Sequence, residues 1–156
     1  MENRGLNLNE LRTRLFENEE QLQAAAMDLI RNYFPEFYLK AFHPKNEQHI
    51  PRFLNESPKQ YESRTKFIGN NNKRKGKLAG VMDICIRYKG VFFSIELKLE
   101  SKRNTKNGGR SPEQQALFNE WMLDCSDVPP LMAYNLLEVY KILCWILTSG
   151  FRVVKM

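Results

Sequence analysis

Cysteine is scarce in this sequence. The three present, Cys85, Cys125 and Cys144, are odd in number and far apart. With no CxxC and no Cys/His cluster, neither a disulfide framework nor a structural zinc is expected; reduced, buried thiols are. Histidine is scarcer still. His43 and His49, in "HPKNEQH", are spaced too loosely to read as a metal pair. The N-terminus "MENRGLNLNELRTR" lacks the apolar stretch of a signal peptide. Long hydrophobic runs are missing too: "LMAYNLLEVYKILCWIL" is broken by Asn135, Glu138 and Lys141, which argues against a membrane span. Acids are outnumbered, with 18 Asp and Glu against 24 Lys and Arg. The net charge of +6 leans towards a polyanionic partner. Together these features predict a cytoplasmic protein.

What is there suffices for a core. With 156 residues, 42% of them hydrophobic, one domain spanning 1–156 is expected. "NEEQLQAAAMDLIRNYF" reads as a helix, with Asn18 as N-cap, Gln21 three residues on, and Leu22, Ala25, Ala26, Leu29, Ile30 and Tyr33 on one face. A shorter helix, "NELRTRLF", precedes it. Pro35 ends the main helix and "FYLKAF" predicts a strand. Residues 43 to 79 read as polar and irregular. A hairpin follows, then the basic loop "SKRNTKNGGR". "SPEQQALFNEWML" opens a helix with Ser111 as N-cap and Pro112 at the first position. "PLMAY" reads as a strand and "LLEVYKILCWIL" as a buried helix, with Trp121 and Trp145 in the core. The order is α-β-β-β-α-β-α, an α/β fold.

The hairpin "GVMDICIRYKGVFFSIELKLE" carries the chemistry. A turn at Lys89-Gly90 sets Tyr88 opposite Val91 and therefore Asp83 opposite Glu96. Met82, Ile84, Ile86, Tyr88, Val91, Phe93, Ile95 and Leu97 then share an apolar face; Asp83, Cys85, Ser94, Glu96 and Lys98 share the other. Opposed residues have Cβ atoms roughly 4.5–5.5 Å apart, where like charges destabilise. A divalent cation offsets the two carboxylates naturally, since Mg²⁺ takes oxygen ligands, keeps several waters and accepts phosphate oxygens. Lys98, one step beyond Glu96 on that face, could orient water or stabilise charge on phosphate. The bland alternative is an exposed hairpin face with solvated or paired charges. Lysine at positive φ is also an unusual choice for such a turn.

These residues resemble the PD-(D/E)XK nuclease superfamily through "MD…IELK". Together with "EEQLQ", "HPKNE", "AGVMD" and "SPEQ", they resemble its virus-type replication-repair nuclease (VRR-NUC) family, in its small standalone phage and bacterial form, over about residues 19–147. The resemblance implies a restriction-endonuclease-like core, a mixed β-sheet flanked by helices, and Mg²⁺- or Mn²⁺-dependent phosphodiester hydrolysis. Asp83 and Glu96 would be the metal carboxylates, the Leu97 backbone carbonyl a further ligand, and Lys98 the catalytic lysine. Met82 stands where the family often has proline. The family pattern Glu-x-x-[Ile/Leu]-Gln falls on Glu19, Leu22 and Gln23, which makes Glu19 a further catalytic and metal-binding acid and Gln23 a candidate nucleic-acid contact. Glu19 could equally serve the positive end of the helix dipole. Gln114 matches Ser-Pro-x-Gln. It is either a site residue or the capping-box glutamine, whereas Gln115 points off that face towards solvent.

Basic runs flank the hairpin. Lys73, Arg74, Lys75 and Lys77 precede it, and Lys102, Arg103, Lys106 and Arg110 follow it. Such runs suit phosphate contacts, and nothing points to base-specific readout. The expectation is a DNA endonuclease for branched DNA, chiefly four-way junctions, in a bacterial or phage-infected cell, with a homodimer implied by the resemblance. A non-catalytic DNA-binding protein and a sequence-specific restriction-type nuclease are the alternatives.

Overall fold

The computed structural model describes residues 4–44, 52–74, 82–124 and 128–149, of which 69, 71–74, 121, 123 and 124 are described by their main chain alone. The helices are α1 (Leu8–Thr13), α2 (Glu19–Tyr33), α3 (Pro58–Arg74), α4 (Pro112–Asp124) and α5 (Leu136–Thr148). The strands are β1 (Ala41–Phe42), β2 (Ile84–Tyr88), β3 (Val91–Leu97) and β4 (Leu131–Ala133). They form one mixed sheet in the order β1-β2-β3-β4. The first three run antiparallel to their neighbours, and β3 pairs with β4 in parallel. A parallel pair needs a crossover, and α4 lies within it.

Local chemistry starts the helices. Asn18 Oδ1 accepts the Gln21 N–H at 2.9 Å, while Gln21 Oε1 reaches back to the Glu17 N–H at 3.1 Å. Asn135 caps α5 through the Glu138 N–H. Leu22, Ala26, Leu29 and Ile30 of α2 and Leu136, Val139, Tyr140, Leu143 and Ile146 of α5 are buried. They cluster with Ile84, Ile86, Phe93, Ile95 and Leu97 of the hairpin. Each large apolar side chain so buried stabilises the fold by about 1.5–3 kcal/mol.

The hairpin closes at Lys89-Gly90 with φ of 48° and 82°, both left-handed as a two-residue primed turn requires. Gly90 takes this conformation freely; Lys89 takes it at some cost. The register follows: Tyr88 faces Val91 and Ile84 faces Ile95.

Four expectations change. "FYLKAF" is not a strand of that length. Pro35–Phe37 form a 3-10 turn and Leu39 sits at φ 60°, leaving only Ala41–Phe42 to pair. The 43–79 stretch is not irregular throughout, because α3 occupies 17 residues of it. This helix has little apolar content and is held by its own lead-in loop. Arg64 forms a double hydrogen bond with Glu56 and stacks 4.1 Å from the Phe53 ring centre. Ser57 and Gln60 cap it reciprocally. Trp145 lies outside the core, 41% exposed, edge-on to Phe93. Gln115 is not simply solvated, since it bonds Arg110 and Asn119. Cys85 is buried, and burial followed by the Asp83 charge pushes its thiol up to about 11. Among the described residues, no helix is long and apolar enough to cross a membrane.

Candidate active site

Asp83 lies one residue ahead of β2, where the hairpin register carries it opposite Glu96 near the end of β3. The polar face of the hairpin is not a solvated one. Glu96 is 0% and Lys98 5% exposed, and Ser94 and Cys85 are buried beside them.

Lys98 Nζ stands 2.8 Å from Glu96 Oε1 and 3.1 Å from Glu19 Oε2 at the first turn of α2. An ammonium has three donors, so one N–H remains beyond these two bonds. The second oxygen of Glu96, Oε2, is buried and has no hydrogen-bond partner among the described residues. Asp83 spends Oδ2 on the Leu97 N–H at 2.7 Å. Its main-chain carbonyl receives Gln23 Nε2 at 3.0 Å and His43 Nδ1 at 2.8 Å.

Gln114 fills both of its expected parts at once. Its Oε1 accepts the Ser111 N–H and its N–H donates to Ser111 Oγ, a full capping box. Its Nε2 then donates to Glu96 Oε1 at 2.5 Å. The loop before α4 lies tight against the lysine. Gly109, at φ 84°, has no room for a side chain: a Cβ would fall 2.7 Å from Lys102 Cβ and 3.6 Å from Lys98 Cδ.

The electrostatics follow from three carboxylates sharing one buried ammonium. Burial, then the Asp83 charge, lifts Glu96 up to about 7, despite the opposing pull of Lys98. Burial likewise raises Asp83, partly offset by the Leu97 N–H and by Lys98. For Lys98 burial works against the charge, but its bonds to Glu96 and Glu19 outweigh it and hold the amine above its ordinary value. A buried pair of acids this uneasy about ionising suits a site that gains positive charge on binding.

The donor set fits a hard cation. Two carboxylates meet at neighbouring strand ends, one of their oxygens is buried without a partner, and all ligands on offer are oxygen. Among the described residues, no group of three or more His, Cys, Asp and Glu side chains could hold a metal. Glu19 stands as a partner of Lys98. Two side chains, a main-chain carbonyl and water are what this chain offers.

The basic residues divide. Lys102 and Lys106 are exposed. Arg103 is committed to Glu100 and to Glu138, and it stacks 4.4 Å from the Tyr134 ring centre. Arg110 lies flat on Phe118 at 3.8 Å, with its Nε buried and unpartnered among the described residues. Lys73 and Arg74 fall on the last turn of α3, while Lys75, Lys77, Asn46, His49 and Cys125 lie outside the described residues. Sequence reasoning missed His43, which joins the site through a main-chain atom. Its place at the head of the "HPKNE" segment was the available signal.

No protein-family model matches this chain, nor does any curated protein or solved structure.

Proposed function

We propose that this chain is a metal-dependent DNA endonuclease of the PD-(D/E)XK type, with motifs like those of the VRR-NUC family, cutting branched DNA such as a four-way junction. The observation that carries this reading is the buried Glu96 Oε2, without a hydrogen bond among the described residues, on the carboxylate that lies opposite Asp83 and beside Lys98. The four-strand mixed sheet with flanking helices supports it, being the kind of core the sequence resemblance implies.

Asp83, Glu96 and the Leu97 carbonyl would hold Mg²⁺ or Mn²⁺. Bound there, the ion supplies Lewis-acid polarisation of a phosphodiester and a water made acidic enough to attack it. The remaining work belongs to the protein. Lys98 keeps a positive charge against the reacting phosphate through its third N–H, and Glu19 and Glu96 fix its position. Gln114 holds Glu96 Oε1, which turns Oε2 into the oxygen left for a ligand. Lys102 and Lys106 reach solvent from the loop that follows β3 and suit backbone phosphates. A homodimer would present two such sites to the two strands of a junction.

The test is cleavage of labelled junction, flap, single-stranded and linear duplex DNA in Mg²⁺, Mn²⁺ or EDTA. Cutting that needs metal, prefers the junction and falls by about 10²–10³-fold or more in Asp83→Asn and Glu96→Gln is expected. Cutting in EDTA, or cutting untouched by both substitutions, refutes the proposal.

A further inference from the structure

Gln23 and His43 converge on one atom. The carbonyl oxygen of Asp83 lies 3.0 Å from Gln23 Nε2 and 2.8 Å from His43 Nδ1, and the two nitrogens also touch each other. A carbonyl oxygen has two lone pairs and can take both donors. If His43 Nδ1 carried no proton, its lone pair would face that of the carbonyl at 2.8 Å, and the Gln23 amide alone would tie the Asp83 main chain. Turning the Gln23 amide end for end would likewise set oxygen against oxygen. With Nδ1 protonated and the Gln23 amide donating, both nitrogens serve the Asp83 carbonyl, and this is the assignment a clamp requires.

Asp83 needs such support. It sits outside β2, so the last ladder pair, Ile84 with Ile95, does not fix it. Among the described residues its carboxylate is tethered by one hydrogen bond, from the Leu97 N–H. Two separate elements supply the second tether. Gln23 comes from α2, one turn after Glu19. His43 follows directly on β1, whose pairing of Phe42 with Cys85 carries the chain alongside Asp83.

We infer that His43 and Gln23 are positioning residues that clamp the Asp83 main chain and thereby aim its carboxylate at the ion that Asp83 and Glu96 would share. This deepens the nuclease reading and rests on it for the ion, though not for the clamp. His43 acts through Nδ1–H, and its Nε2 takes no part.

Substitution separates the two ring nitrogens, because asparagine can place an N–H where Nδ1 was, while glutamine reaches only to Nε2. Three readouts apply to the protein without DNA: deuterium exchange of the Leu97 amide, Mn²⁺ affinity by calorimetry, and the ¹⁵N shifts of the His43 ring. His43→Ala and His43→Gln should speed Leu97 exchange about tenfold. They should weaken Mn²⁺ binding about 10–100-fold, as removal of a residue supporting a metal ligand typically does. His43→Asn should restore both, and the wild-type ring should report a protonated Nδ1. Unchanged Leu97 exchange in His43→Ala overturns the clamp; so does rescue by Gln in place of Asn, or a ring protonated only at Nε2. A wild-type protein that binds no Mn²⁺ and cuts no DNA sinks the nuclease reading instead, while Leu97 exchange and the ring shifts still judge the clamp. Should His43→Ala fail to fold, the Asn and Gln pair decides.

Discussion

Gln114 Nε2 lies 2.5 Å from Glu96 Oε1, the same oxygen that Lys98 Nζ approaches at 2.8 Å. One carboxylate oxygen thus takes two donors while its twin, Oε2, takes none among the described residues. The glutamine also starts α4, so helix capping and site geometry depend on one side chain.

Gln114→Glu separates those two roles. A Ser-x-x-Glu box caps as well as Ser-x-x-Gln, so helicity should persist, but a second carboxylate then faces Glu96 in place of a donor. Single-turnover cleavage should fall with little change in the far-ultraviolet spectrum. Gln114→Ala should lose both roles and cost about 1 kcal/mol of stability from the cap alone, measured by urea unfolding.

Glu96 makes stability depend on pH when metal is absent. Burial raises its folded pKa to about 7 from an ordinary 4.5, so its ionised form is the one the fold resists. Its contribution is complete below about 4.5 and is lost as pH rises through about 7. Unfolding free energy in EDTA should fall across that window. Glu96→Gln should flatten the profile and exceed wild type in stability at pH 8.

Lys98→Met leaves the buried acids without their shared ammonium. Breaking such a buried pairing costs about 3–5 kcal/mol. The loss should be largest at pH 8 and smaller at pH 5, where Glu96 can take up a proton. Denaturant titrations at the two pH values check this.

The two loop lysines and their arginine neighbour should behave differently on DNA. Lys102→Gln and Lys106→Gln should each lower the slope of log affinity against log salt by about 1 if each meets a phosphate. Arg103→Gln should instead lower the melting temperature, because Arg103 joins Glu100 and Glu138.

Helix α3 should depend on a single residue. Arg64→Ala removes the two hydrogen bonds to Glu56 and the stack on Phe53. Helical signal should drop while the hairpin amides keep their protection from exchange.

The hairpin and the capped helices were legible because their signals are local. Alternation along Met82–Leu97 states which face joins the apolar core, and Ser111 with Gln114 marks a helix start within four residues. Helix α3 was not legible, since an arginine stacked on Phe53 leaves no apolar period to read. The strand expected near residue 40 was cut short by the left-handed Leu39, a conformation its side chain does not advertise. The carboxylates and lysine could be foreseen because register alone places them. His43 could not, because it meets a backbone oxygen 40 residues away in sequence.

The Lys89-Gly90 turn works as the ruler of the whole candidate site. A strand alternates faces residue by residue, so a one-residue slip of the β2–β3 pairing would send the Asp83 side chain through the sheet, away from Glu96. An insertion at this turn keeps the two acids together only where Tyr88 stays opposite Val91.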